Sequence, residues 1–300
     1  MKKVTSILIL FFAILSACKT PSKENENNST KISPLSDTLQ VQHTTQLEDA
    51  TIEYFTMGNP SGKVVALLPG GSLNVNYMQG LAKVLAKKGY YVIAVNPRGA
   101  GNSTGKSDSI SMHDLGNDVM GVLHAEHIES ACVVGHAYGN RIARIMATDH
   151  PENVNKVVLI AAGGKFPPKD DASKALKEVF SDGVTEQQLI NSVKYMVGDS
   201  ADAFKAAAII KNSLAPKSGP IERVAAEHTL LQEWWAPKGT TQFLILQGTK
   251  DQIAPPRNGE DLKKDLGNRA EMVYLEGAGH LMIITRPEEV SEKIINFLEN

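Results

Sequence analysis

The stretch VVGHAYGNRIA, residues 133–143, is the most informative about the fold, because three kinds of local structure follow one another in it directly. An apolar run leads directly into a segment rich in small residues, and apolar residues at helical spacing follow. Gly135 and Gly139 lack side chains, so the backbones of a strand and a helix can approach closely around them. The stretch therefore predicts a strand, a tight turn with Ala137 at its apex, and a helix.

Apolar runs of four or five residues recur along the chain, and segments with helical spacing separate most of them. The runs that we interpret as strands are residues 64–68, 91–95, 131–134, 157–160, 243–246 and 272–275. Because these runs do not alternate with polar residues, they fit strands that are covered on both faces. Strands and helices in succession form parallel sheets with helices on both sides. The sequence predicts an α/β fold with a doubly wound, mostly parallel sheet.

The succession is interrupted between residues 164 and 236, where amphipathic helices occur without an intervening strand. The predicted helices cover residues 176–180, 189–196, 204–210 and 224–235. We interpret this segment as a helical lid inserted into a core of residues 46–163 and 237–300. Trp234 and Trp235 stand where the lid returns to the core. They fit either a pocket wall or a wedge that seats the lid, and we favour the wedge.

The first eighteen residues have the features of an export signal rather than of a folded domain. Two lysines precede the apolar run Ile7–Leu15, which is too short to cross a bilayer as a helix. The run ends Leu-Ser-Ala-Cys at residues 15–18, which resembles the lipobox of bacterial lipoproteins. This resemblance implies a signal peptide over residues 1–18 and lipidation of Cys18, which anchors the mature chain to a membrane. An ordinary secretory signal with an incidental cysteine is the alternative.

A polar segment, residues 19–45, follows the signal and is rich in Lys, Glu, Asn, Ser and Thr. It buries too little apolar surface to offset the entropy of ordering, so we expect a flexible tether. Together with a lipidated Cys18, the tether predicts a location in the bacterial cell envelope. There the domain would face the periplasm or the exterior.

Charge and cysteine content restrict the partners of the protein. The chain has 31 basic and 33 acidic residues and a formal net charge of −2, without the basic patch that nucleic acids require. Cys132 is the only cysteine besides Cys18, which leaves no internal disulfide in the mature domain. No paired spacing of His and Cys occurs, so we predict no metal site, and no motif indicates a cofactor.

Residues 45–300 resemble the α/β-hydrolase superfamily, in its lid-bearing single-domain form, because several family motifs occur in the family's order. The turn of residues 135–139 resembles the nucleophile elbow. Ala137 occupies the position that holds the catalytic Ser, Cys or Asp in such enzymes. The resemblance implies an α/β-hydrolase fold whose elbow has no nucleophile, so acyl-enzyme chemistry is excluded at Ala137.

Two further loops resemble the rest of the family's catalytic triad. Residues 248–255 follow a predicted strand and resemble the acid loop, with Asp251 as the acid. Residues 277–280 follow the next predicted strand and resemble the histidine loop, with His280 as the base. The resemblance implies that Asp251 and His280 form a pair in which the carboxylate orients the imidazole.

The resemblance also implies an oxyanion hole built from two backbone N–H groups. One N–H belongs to the residue after the nucleophile position, which is Tyr138, and the other belongs to Gly71, with Ser72 as a substitute. A plain tight turn at Gly70 and Gly71 is the alternative interpretation.

Residues 101–105 match the pattern G-x-S-x-G, but their surroundings do not fit an elbow. A loop precedes the pattern and no helical spacing follows it, so Ser103 is not expected to be a nucleophile. The segment resembles the Asp-x-Arg-Gly-x-Gly-x-Ser loop after strand four of α/β-hydrolases, with Asn96 in the first place. His136 corresponds to the variable residue before the nucleophile, and we assign it no chemical role.

Three functions are compatible with this pattern. In the first, His280 oriented by Asp251 acts as a general base on water or on an acidic proton of a small-molecule substrate. In the second, the protein binds a small ligand in the lid-covered pocket without converting it. In the third, Ser72 replaces the nucleophile from a neighbouring loop. We favour the first because the pair of catalytic residues is retained.

Overall fold

The computed structural model describes residues 40–300, whose strands belong to one nine-stranded sheet. The strands are β1 (Gln40–Gln46), β2 (Ala50–Gly58), β3 (Val64–Leu68), β4 (Tyr91–Val95), β5 (Thr104–Gly105), β6 (Cys132–His136), β7 (Lys156–Ile160), β8 (Gln242–Gly248) and β9 (Ala270–Leu275). Their order is β1-β2-β4-β3-β6-β7-β8-β9, and β5 pairs with β2. β1 and β2 run antiparallel to their neighbours, whereas the pairs from β4 to β9 are parallel. The predicted doubly wound, mostly parallel sheet is confirmed.

Helices cover both faces of this sheet. They are α1 (Gln79–Lys87), α2 (Met112–Ala125), α3 (Gly139–Asp149), α4 (Asp170–Val179), α5 (Glu186–Val193), α6 (Ala203–Lys211), α7 (Ser218–Glu227), α8 (Leu231–Trp234), α9 (Arg257–Leu266), α10 (Met282–Thr285) and α11 (Pro287–Glu299). Val65 and Leu67 of β3 are buried on the face covered by α1 and α11. Ala66 and Leu68 are buried on the opposite face, which α2 and α3 cover. Burial on both faces explains why the strand sequences do not alternate with polar residues.

Helices α4 to α8 connect β7 to β8 and form the inserted segment. The structure has two helices, α7 and α8, where the sequence predicts one over residues 224–235, so that prediction is wrong. The break lies at Thr229, whose hydroxyl donates to the carbonyl of Ala225 at 2.8 Å and accepts from the N–H of Met112 at 2.9 Å. The hydroxyl of Thr229 thus replaces part of the backbone hydrogen bonding of a helix and links the break between α7 and α8 to α2.

The predicted tether extends too far along the chain, because residues 40–46 form β1. β1 pairs along its full length with β2, so backbone hydrogen bonds order it although most of its side chains are polar. His43 stacks on Tyr54 at 5.0 Å between ring centroids and bonds the hydroxyl of Thr56 at 3.0 Å. The predicted signal peptide and Cys18 lie outside the described residues. Within residues 40–300 no helix has both the length and the apolar character needed to cross a membrane.

Candidate active site

A tight turn joins β6 to α3 and places Ala137 at its apex. Ala137 has a φ of 48°, in the left-handed region that costs a residue with a side chain about 1–2 kcal/mol. A Cβ atom at Gly135 would lie 2.4 Å from the backbone of Gly139, and one at Gly139 would lie 2.4 Å from the carbonyl oxygen of Leu68. The two glycines are therefore required for strand and helix to meet. The N–H of Ala137 donates to the carbonyl of Ile160 at 3.1 Å, which fixes the apex against β7.

Asp251 and His280 form a hydrogen-bonded pair. Nδ1 of His280 lies 2.9 Å from Oδ2 of Asp251, and both side chains are buried. The other carboxylate oxygen accepts the N–H groups of Ile253 and Ala254 at 2.9 and 2.8 Å. This arrangement holds the imidazole in the tautomer whose Nδ1 carries the proton. Among residues 40–300, Nε2 of His280 has no hydrogen-bond partner.

His136 connects the histidine loop to the loop after β3. The N–H of Gly70 donates to the hydroxyl oxygen of Tyr77 at 2.7 Å, and Tyr77 in turn bonds Nδ1 of His136 at 2.9 Å. Nε2 of His136 donates to the carbonyl of His280 at 3.1 Å. Burial, with a contribution from the charge of His280, lowers the pKa of His136 to about 3, so the ring is neutral and serves both bonds. This positioning role could not be predicted from the sequence, because nothing near His136 in the chain marks Tyr77 as its partner.

The two expected oxyanion donors, Gly71 and Tyr138, lie side by side. A Cβ atom at Gly71 would lie 3.4 Å from Cβ of Tyr138. Within the described part of the chain, the N–H groups of both residues donate to no other group. The N–H of Ser72 donates to Oε2 of Glu222 at 2.8 Å and is therefore occupied. This geometry suits a developing negative charge at Gly71 and Tyr138 and disfavours Ser72 as the substitute donor.

Glu222 of α7 is a buried carboxyl group beside this pair of donors. Burial raises its pKa to about 7, although the Ser72 N–H, the hydroxyl of Ser218 and the charge of Arg141 act in the opposite direction. The backbone carbonyl of Glu222 accepts the hydroxyl of Tyr138 at 2.7 Å. The inserted segment is thus joined to both loops of the expected oxyanion hole. Glu222 could not be predicted as a site residue from the sequence, because 150 positions separate it from Ser72.

A cavity of about 540 Å³ lies between the elbow and the inserted helices. Ala137 and His280 line it together with Gly71 and Tyr138, so the expected site residues share one space. Much of its apolar wall comes from the inserted segment, including Leu176, Val179, Phe180, Met196 and Ile210. The volume and the mixture of an apolar wall with a few polar groups are typical of a small-molecule site.

The two serines considered as nucleophiles have other surroundings. The buried hydroxyl of Ser103 accepts from the N–H of Glu53 and donates to the carbonyl of Asn96, both at 2.9 Å, which is a structural role. Ser72 lines the cavity, but its hydroxyl makes no hydrogen bond with His280 or any other residue between 40 and 300. A Cβ atom at Gly219 would lie 2.3 Å from that hydroxyl, so Ser72 faces α7. The geometry therefore gives no support to nucleophilic attack by Ser72.

Trp234 and Trp235 are buried where the inserted segment returns to the core, and neither lines the cavity. The indole N–H of Trp235 donates to Asp265 at 2.6 Å, and the guanidinium of Arg144 lies 4.5 Å from the ring centroid of Trp234. These contacts fit the wedge interpretation. Over residues 40–300, no group of three or more His, Cys, Asp or Glu side chains is arranged to hold a metal ion.

The chain is similar to known proteins over most of its length. A family model described as serine aminopeptidase, S33, matches residues 59–286. The chain is 26% identical over 248 residues to the AB hydrolase superfamily protein YisY of Bacillus subtilis (strain 168), covering 79% of this chain and 91% of that protein. It is 24% identical over 288 residues to the non-heme chloroperoxidase of Streptomyces lividans, covering 85% of this chain and 99% of that protein.

Solved structures share the architecture as well. The chain matches the esterase RhEst1 from Rhodococcus sp. ECU1013 with a TM-score of 0.72 and 21% sequence identity. The match covers 86% of this chain and 98% of that chain. At this level of identity the likeness concerns the fold, because one fold serves many chemistries.

Proposed function

This chain belongs to the α/β-hydrolase family described as serine aminopeptidase, S33, and from that membership we propose that it acts on a small organic molecule with His280 as a general base. The observation that carries the proposal is the Asp251–His280 pair at 2.9 Å, whose Nε2 is unpartnered among residues 40–300. His280 lines the same cavity as Ala137. A base that is oriented by a buried carboxylate and has a free lone pair is arranged for proton transfer.

The proposed hydrolysis uses water directly. Nε2 of His280 takes one proton from water while the water oxygen adds to the carbonyl carbon of the substrate. The N–H groups of Gly71 and Tyr138 stabilise the negative charge on the carbonyl oxygen, and Asp251 stabilises the imidazolium. The proton then passes to the leaving group as its bond to carbon breaks. The same base could instead remove an acidic proton from carbon in an elimination.

Ala137 limits what this site can achieve. Its methyl group cannot form a covalent intermediate, so the substrate must react with water or lose a proton in one enzyme-bound step. In a serine protease, loss of the nucleophile lowers turnover by roughly 10⁶ and leaves about 10³–10⁴ over the uncatalysed reaction. General base catalysis contributes about 10²–10⁴, so we expect activated substrates such as strained or electron-poor esters.

The test compares turnover in matched variants. Substrate candidates are found by thermal shift with a panel of small esters and lactones, and hydrolysis of each hit is then followed by product analysis. His280→Gln and Asp251→Asn should each lower kcat by about 10² or more, since each removes the oriented base. His124→Gln changes an exposed histidine outside the cavity and should leave kcat unchanged. Undiminished turnover in His280→Gln would overturn the proposal.

A ligand-binding function without turnover is the second candidate. It is favoured by Ala137 itself, which stands at the strained apex where the family's enzymes carry their nucleophile. This candidate predicts hits that bind in the cavity and are recovered unchanged after prolonged incubation. His280→Gln would then leave ligand affinity within about threefold of the original.

We also propose that the domain acts at the bacterial cell envelope, anchored by lipid on Cys18. The support is the lipobox-like run of residues 15–18 after a short apolar segment. In this arrangement the catalytic domain faces the periplasm or the exterior and meets substrates outside the cytoplasm.

A further inference from the structure

The cavity contains a guanidinium group that the proposed chemistry does not use. Arg141, in the first turn of α3, lines the cavity together with Ala137 and His280. Among residues 40–300 its guanidinium donates no hydrogen bond and has no carboxylate within 4.0 Å. Every fully enclosed side-chain nitrogen or oxygen in that part of the chain has a hydrogen-bond partner. The guanidinium nitrogens of Arg141 are therefore not fully enclosed by protein, and Arg141 lines this cavity.

Arg144, on the next turn of the same helix, has a structural role in this fold and can be compared with Arg141. It is fully buried and donates to the backbone and side-chain oxygens of Asn140 at 3.1 and 2.6 Å and to the carbonyl of Gly163 at 2.9 Å. Its donors are thus used without any carboxylate. Arg141 differs because none of its five N–H donors is used by the described residues.

Aromatic rings hold Arg141 in place without occupying those donors. The centre of its guanidinium lies 5.6 Å from the ring centroid of Tyr138 and 5.1 Å from that of Trp234. Cation–π contacts at these distances stabilise the guanidinium without using its N–H donors. The edge of a guanidinium is the part that forms paired hydrogen bonds with a carboxylate.

The charge of Arg141 has no fixed counterion. The residues that line the cavity include no Asp or Glu in the described chain, and the other lining cation, Lys165, is paired with Asp265 at 2.8 Å. Glu222 is near enough to affect Arg141 electrostatically but forms no ion pair with it. Burial also raises the pKa of Glu222 to about 7, which reduces its charge near neutrality. A partly buried cation without a partner is unfavourable, and an anionic ligand would offset that cost.

We propose that the ligand of this cavity is a small organic monocarboxylate, whose carboxylate pairs with Arg141 and whose apolar part lies against the inserted helices. This inference rests on the proposed function and names the substrate class of the same site. One arginine matches one carboxylate in charge and in the spacing of its donors. Leu176, Val179 and Phe180 supply the apolar wall for the rest of the molecule.

The experiment measures binding, so its outcome is separate from turnover. Isothermal titration is carried out at neutral pH with 4-phenylbutyrate and octanoate, with the neutral amides of both acids, and with inorganic phosphate. The amides keep the shape of the acids and remove only the charge. The measurement is repeated with Arg141→Met, with Arg141→Lys and with Arg223→Met, which alters an exposed arginine of α7 outside this cavity.

The unmodified protein should bind at least one of the two carboxylates about tenfold or more tightly than the corresponding amide. Arg141→Met should remove this preference, Arg141→Lys should retain part of it, and Arg223→Met should retain all of it. The preference is the ratio of the dissociation constants of the amide and the acid, both measured in the same variant. A general loss of affinity or of folded protein affects both constants and does not remove the preference. Equal binding of acid and amide, tighter binding of phosphate, no binding of any probe at millimolar concentration, or an unchanged preference in Arg141→Met would each contradict the proposal.

The two proposals can fail independently. Carboxylate preference with no turnover of carboxylate-bearing esters would leave the Arg141 site in place and overturn the catalytic role of His280. Turnover that depends on His280 without any carboxylate preference would support the catalytic role of His280 and overturn the Arg141 site.

Discussion

Glu222 is a buried carboxyl group whose ionisation should govern stability near neutral pH. Its pKa of about 7 in the folded protein exceeds the ordinary value of 4.5, so the folded state retains a proton that the unfolded state releases. The stabilisation is complete below about pH 4.5 and is lost as the pH rises through about 7. Glu222→Gln removes this ionisation and should stabilise the protein at about pH 8 by up to about 3 kcal/mol, with little effect at about pH 5.

Thermal unfolding at the two pH values measures this difference. Glu227→Gln is the matched control, because Glu227 is exposed on the same helix. If Glu222→Gln and the unmodified protein lose stability equally between the two pH values, Glu222 is not the group that titrates.

Asp251 and His280 could be found from the sequence because each follows an apolar strand within a loop that resembles a family motif. In the structure His280 lines the same cavity as Ala137, and Asp251 lies behind it, 2.9 Å from its Nδ1. Tyr77 and Arg141 could not be found in this way. Their roles depend on contacts across the fold, such as the 59 positions between Tyr77 and His136, and no local pattern encodes those contacts.

The elbow depends on glycine at two positions. A Cβ atom at Gly135 would lie 2.4 Å from backbone atoms of Gly139, which cannot yield without separating β6 from α3. Gly135→Ala should therefore lower the free energy of unfolding by about 3 kcal/mol or more, or prevent folding. Gly80→Ala in α1 is the control, since its Cβ would make an ordinary contact of 3.4 Å with Pro287 of α11. Urea unfolding that shows a loss below about 1 kcal/mol for Gly135→Ala would contradict the required close approach.

His113 of α2 connects the inserted segment to the core. Its ring nitrogens bond Asp149 of α3 at 2.7 Å and Glu233 of α8 at 3.1 Å. Burial lowers the pKa of His113, but the two carboxylates outweigh it, and the net pKa lies above the ordinary 6.5. The stabilisation is therefore complete below about pH 6.5 and is lost as the pH rises through the elevated pKa.

Hydrogen exchange tests this connection. After correction for intrinsic rates, the amides of α8 should exchange faster at about pH 8.5 than at about pH 6, because the bridge to α2 has lost its charge. His113→Gln should remove the pH dependence, and His124→Gln, at an exposed position of the same helix, should preserve it. If the exchange of the α8 amides still depends on pH in His113→Gln, a group other than His113 is responsible.

At the level of elements, the parallel strands were predictable and the antiparallel edge was not. Strands buried on both faces are continuous apolar runs, as Val65 to Leu68 show. β1 consists largely of polar residues at the edge of the sheet, and its order comes from backbone pairing with β2. The separation of α7 from α8 was also missed, because it depends on the contact of Thr229 with Met112 of a distant helix.

For the whole molecule, the proposed lipidation of Cys18 predicts where the protein is found. Expressed in a bacterium, the full chain should fractionate with membranes, and Cys18→Ser should shift it to the soluble fraction because the acyl chains are lost. Cys132→Ala is the control, since that thiol is buried in β6 and should not affect localisation. Recovery of soluble protein with an unmodified Cys18 would contradict the anchor.

The proposed catalysis requires His280, oriented by Asp251, to face position 137 inside the cavity that both line. The most direct measurement is the intact mass of Ala137→Ser after treatment with a fluorophosphonate, because a serine at the apex should be activated by the existing base. The proposed arrangement predicts one added phosphonyl group on Ala137→Ser, none on the native protein, and none on Ala137→Ser combined with His280→Gln. A folded Ala137→Ser protein that stays unlabelled, or native protein that labels at Ser72, would contradict it.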